Sequence, residues 1–201
     1  MEFPFEFCAL RFLLQWERSE KGFHRQMKGP PDIVQLRKAL RYFQVARNFK
    51  GLKNDSKAIS IVEALTSVDS REDYSTEDKV EQLAHCFKAE FNQFNLSAAS
   101  KLLWLRHRKP YIIFDSRAVI ALKNMDSSFD KKSYSEYCQA WRKQYLVHQP
   151  AIKAASAKLI EIRSFLPAWH VDEEAMLKLT KQPWFLERVF DIFLWEVGGE
   201  G

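Results

Sequence analysis

The sequence predicts an all-α fold. Apolar residues recur at helical spacing in almost every segment, and helix-capping residues stand ahead of several of those runs. Only residues 111–114 (Tyr-Ile-Ile-Phe) read as extended, and four residues are too few to seed a sheet. The periodic segments are 5–16, 33–49, 58–68, 79–94, 97–106, 116–122, 134–147, 152–165, 173–179 and 184–197. Gly22 and Gly29-Pro30-Pro31 mark a first long connection, and residues 50–56 and 69–76 mark others. Asp32, Ser75 or Thr76, Ser133 and Asp172 are placed to accept the first unpaired backbone N–H groups of the helices that follow them. There is no internal repeat and no low-complexity tract. The expectation is one helical domain over residues 1–201, with two small lobes as a variant of it.

A chain of 201 residues can bury a sizeable core, and its apolar fraction of 46% and charged fraction of 28% are those of an ordinary globular protein. No apolar run approaches the roughly 20 residues that cross a bilayer. The first residues lack the basic flank of a secretory signal, so a cytoplasmic protein with no membrane partner is expected. Cys8, Cys86 and Cys138 are scattered and odd in number, and supply neither a disulfide framework nor a four-cysteine iron–sulfur loop. His24, His85, His107, His148 and His170 form no ligand-spaced cluster, and six scattered glycines make no phosphate loop. No metal and no cofactor are therefore expected. The net charge is +5, but residues 18–57 hold eleven Lys or Arg against the acids Glu20, Asp32 and Asp55. A basic region of that kind suits phosphate, although the same residues would also coat solvated helix faces.

The segment 97–117 carries the chemistry. Ser97 precedes an apolar run and is expected to cap a helix there, which puts Lys101 in the first turns. The positive end of the helix dipole disfavours an ammonium and favours the free, nucleophilic amine. It also attracts phosphate, and the N–H groups of Ala98, Ala99 and Ser100 are expected to face it, where small side chains permit close approach. The helix breaks in the basic turn His107-Arg108-Lys109-Pro110, and residues 111–114 lead to Asp115, which can cap the next helix. A carboxylate brought near Lys101 would accept its proton or stabilise positive charge on a sugar losing its base. Taken singly, Asp115 reads as a structural cap, Lys101 as a surface lysine and residues 106–109 as a polar turn. It is their combination that points to chemistry.

That combination resembles the helix-hairpin-helix DNA glycosylases, in particular the 8-oxoguanine glycosylase branch and its compact bacterial members. There a hairpin ending in lysine opens a helix, a Lys-Pro turn follows, and a short apolar segment leads to an aspartate. Lys101, Lys109-Pro110 and Asp115 match in that order. Where the family's hairpin has glycines this chain has Leu96-Ser-Ala-Ala-Ser100, and its following helix is about one turn shorter.

The resemblance implies a helical glycosylase domain with its hairpin and catalytic segment in residues 95–123. Lys101 would attack the sugar C1′ and form a Schiff base, with Asp115 as the essential carboxylate. Ser97, Ala99, Ser100, Arg106, His107, Arg108 and Arg117 would lie along the DNA. A slot for the extruded base would have Gln182, Trp184 and Phe185 at the start of the C-terminal helix as one wall. Duplex DNA containing a modified base is the implied partner of a monomeric protein. The base is either of the 8-oxoguanine type or a hypermodified phage base such as glucosylated hydroxymethylcytosine, the latter implying antiviral defence.

Two other classes compete with this one. A non-catalytic DNA-binding hairpin would bind backbone alone, with salt-sensitive affinity and little base preference. A helical protein-interaction domain would bind no DNA at all. Most of the six Trp and sixteen Phe should be core, and Arg188 and Asp191, three apart, should form a structural ion pair.

Overall fold

The computed structural model describes residues 4–125, 127–166 and 172–199, which leaves Trp169 and His170 outside the described residues. These contain helices and short helical turns and no strand. The all-α expectation is met, and residues 111–114 are extended without pairing.

Helix α1 (Phe5–Gln15) runs on through a π-helical segment, Trp16–Glu20, into α2 (Lys21–Met27). The connection expected after residue 16 is therefore helical until the bend at 28–30. Gly22 misleads because it lies on the outer side, where an added Cβ would meet nothing; it lowers helix propensity without breaking the helix. The inner side of this stretch buries Glu20, His24 and Met27 at spacings of four and three.

The segment expected at 33–49 divides. Asp32 accepts the Val34 N–H at 2.8 Å and opens α3 (Ile33–Tyr42), but Gln44 takes φ +56° and ends it before a 3-10 turn, Ala46–Asn48. Asn54 caps α4 (Asp55–Asp69), and Ser75 with Asp78 forms a capping box at α5 (Thr76–Phe91). α6 (Leu96–His107) and α7 (Ser116–Asn124) follow.

Residues 134–147 and 152–165 do not form two helices. Ser133 accepts the Glu136 N–H at 3.2 Å, and α8 (Tyr134–Ala157) then runs through Pro150 before 3-10 turns at Lys158–Ile160 and Arg163–Phe165. Pro150 lies on the exposed side, so its missing N–H removes one bond where water can serve the opposed carbonyl. Asp172 accepts the Glu174 N–H at 3.0 Å at the start of α9 (Glu173–Thr180), and α10 (Pro183–Val197) has proline at its first position.

The chain divides into two compact units. Residues 1–17, 115–129 and 138–201 form one, in which α10 packs on α1 and α7. Its core is aromatic: Phe12, Phe185 and Phe190 are fully buried, and Phe12 lies 4.9 Å from Phe185 between ring centroids. The Trp141 indole donates to Asp191 at 2.8 Å, and Arg188 lies 3.8 Å from the same carboxylate, the expected ion pair. Residues 18–114 and 130–137 form the other unit, in which α5 and α2 pack on α6 and α4 packs on α5 and α3. Ten of the twelve residues of α6 are buried, so it is the central helix of that unit.

Candidate active-site residues

Helix α6 begins earlier than expected. Asn95, not Ser97, is the cap: its side-chain oxygen accepts the Ala98 N–H at 2.9 Å, and its carbonyl accepts the Ala99 N–H at 3.1 Å. The expected phosphate donors Ala98 and Ala99 are thus already hydrogen-bonded inside the protein, and both residues are fully buried. Ser97 becomes the second helical residue and Lys101 the sixth, one and a half turns from the start.

This placement drives Lys101 inward. The residue is 6% exposed; its Nζ donates to Ser97 Oγ at 2.9 Å and lies 5.8 Å from the Phe43 ring centroid. The pairing follows from helix geometry, since residues four apart share a face. Ser100 also faces inward, with no exposed surface, and its hydroxyl accepts the Phe114 N–H at 2.9 Å.

Residues 111–114 form the extended link after α6, and side chains take the place of strand neighbours along it. Tyr134 accepts the Ile112 N–H at 3.0 Å and donates to the Ile112 carbonyl at 2.6 Å, while Tyr137 donates to the Ile113 carbonyl at 2.9 Å. With Ser100 on Phe114, successive backbone groups are satisfied without a sheet. The link delivers Asp115, which does cap α7, accepting the Arg117 N–H at 3.1 Å from a half-buried position. Lys101 belongs to the second unit, and Asp115 opens a segment of the first.

The basic turn is held by the fold. Arg106 is buried, with Nε 2.8 Å from Asp69, and His107 Nε2 is 2.7 Å from the same carboxylate, its ring against Tyr111. Arg108 takes φ +65°, a conformation that L side chains rarely adopt, and is half-buried at the end of α6. The Arg117 guanidinium lies 3.9 Å from the Trp195 ring centroid.

The proposed slot wall is largely core. Phe185 is fully buried, Trp184 is 7% exposed against Trp16 with centroids 4.5 Å apart, and half-buried Gln182 donates to the Lys178 carbonyl at 3.2 Å. Among the described residues no group of three His, Cys, Asp or Glu is arranged to hold a metal ion, and no helix is long and apolar enough to cross a membrane.

Two residues of this region escape a reading of local pattern. Asn95 was legible in principle, as a capping residue three before Ala98. Glu20 was not: in sequence it is one acid in a basic stretch, whereas in the fold it has no exposed surface and its carboxylate accepts the Tyr42 hydroxyl at 3.2 Å. Comparison with protein-family models, with curated proteins and with solved structures finds no match.

Proposed function

We propose that this protein is a DNA glycosylase that removes a damaged or modified base and forms a Schiff base through Lys101. The observation that carries this reading is the burial of Lys101. Withdrawing an ammonium from water is costly, and a chain that keeps a lysine inside, its amine held by a hydroxyl, has placed a nucleophile where a solvated surface lysine would serve structure equally well. Support also comes from the rigid link that follows, which ends at a half-buried carboxylate.

The amine of Lys101 attacks C1′, and the glycosidic electron pair leaves with the base. The secondary amine then loses a proton and the sugar ring opens to an imine, from which elimination breaks the 3′ C–O bond. Asp115 stabilises the positive charge that grows on the sugar and takes up a proton. Either an 8-oxoguanine type of base or a hypermodified phage base is consistent with this chemistry.

Borohydride trapping on DNA containing 8-oxoguanine, an abasic site or glucosylated hydroxymethylcytosine tests the reading. A covalent adduct that disappears in Lys101→Gln is expected, with base release lost in Asp115→Asn while DNA binding survives. The capping role of Asp115 favours a second reading, a non-catalytic DNA-binding module, in which both variants bind as the wild type does and no DNA yields adduct or free base.

A further inference from the structure

Buried charges in this fold are few, and most face an opposite charge in their own unit. Arg106 meets Asp69, and Arg188 meets Asp191. The remaining two buried formal charges among the described residues, setting the histidine aside, are Glu20 and Lys101, of opposite sign and in the same unit.

Their surroundings coincide. Glu20 is held by Tyr42, and Lys101 lies over the ring of the next residue, Phe43. α2 packs on α6, and His24 Nδ1 donates to the Leu105 carbonyl at 2.7 Å. One turn back from His24 is Glu20, and one turn back from Leu105 is Lys101, so two helices in parallel register carry both groups toward Tyr42 and Phe43. In the other direction Lys28 and Arg108, both about one turn on, act together on His24, as the same register requires.

We propose that Glu20 is the buried counter-ion of Lys101 and the positioning residue that governs its proton. The pair holds one proton. With it on Nζ the two are ammonium and carboxylate; transfer to a Glu20 carboxylate oxygen breaks one N–H bond, forms one O–H bond, and leaves a neutral amine beside a neutral acid. In a site without water the second state creates no separated charge, which makes the free amine accessible.

The pairing stands on the packing, while its consequence for catalysis rests on the Schiff-base reading, and two measurements separate them. The first is a double-mutant cycle of Glu20→Gln and Lys101→Met followed by urea unfolding. Non-additivity is expected, the second substitution costing little once the first is made, and additive effects overturn the pairing. Should Glu20→Gln fail to fold, the double variant is expected to recover folded protein, and its failure to do so is equally decisive.

The second is the pH profile of trapping on abasic-site DNA. Removing the carboxylate disfavours the ammonium, so the acid limb of Glu20→Gln is expected to move to lower pH by about one unit or more; a purely structural glutamate would change yield and leave the limb in place, which overturns the proposal. Absence of any adduct in the wild type defeats the Schiff-base reading alone, and the cycle then decides the pairing.

Discussion

Tyr134 does for Ile112 what a neighbouring strand does in a sheet: one hydroxyl accepts its N–H and donates to its carbonyl. Both residues are buried, so Tyr134→Phe leaves two backbone groups without partners in a place water does not reach. A loss of about 2–4 kcal/mol is expected, summed over two unsatisfied groups, and urea unfolding measures it. A Phe114 N–H likewise depends on Ser100. Neither bond is visible in local sequence, because each joins positions 14 to 22 residues apart. Lys101 illustrates the same limit. Its position on a helix was readable, but a helix start shifted to Leu96 converts an exposed first-turn lysine into a buried one.

At the level of the element, the two ends of α6 are completed by other parts of the chain. Its last carbonyls lack helical donors, and His24 of α2 supplies one to Leu105. Burial holds the His24 imidazole below its ordinary value, with Arg108, Lys28 and His107 pushing the same way against the Leu105 bond. The folded state therefore prefers neutral His24. Its contribution is complete above the unfolded value of about 6.5 and is lost as pH falls through the lower folded-state value. Wild type is expected to lose more stability than His24→Gln between pH 7 and pH 5, as read from urea midpoints.

Where α10 ends, Gly198 lies against the backbone of Arg117 at the start of α7, and a Cβ there would run into the Arg117 carbonyl. Gly198→Ala is expected to cost about 1–3 kcal/mol through overpacking, measured as a fall in the thermal midpoint. That glycine looks in sequence like an ordinary helix terminator. Its need arises only because α7 and α10 pack together.

For the whole molecule, charge is the readable property and its effect is on association. Arg25, Lys28, Lys38 and Arg41 are exposed and belong to one unit, within a stretch far more basic than the chain's net +5. If that surface carries DNA, reversing Arg25 and Lys28 to Glu should weaken binding about equally for all sequences. The slope of log K against log salt should flatten by about 0.9 for each phosphate contact removed. Fluorescence anisotropy across a salt series checks this, and an unchanged slope would place the DNA elsewhere.

The sequence by itself determined the helical class, most helix positions and most caps, because helical periodicity and capping are relations between residues within four positions of one another. It also singled out Lys101 and Asp115, since chemistry-bearing side chains can be recognised by type and order. The sequence erred where a local breaker was outweighed: Gly22 and Pro150 sit on outer faces, and packing on the inner side carries the helix through. Only the tertiary structure decided that Lys101 is buried, that Arg106 and His107 are held by Asp69, that Phe185 is core, and that Glu20 and Lys101 converge on Tyr42 and Phe43. The physical reason is that burial and charge pairing are set by which helices pack and in what register, and no span of adjacent residues contains that information.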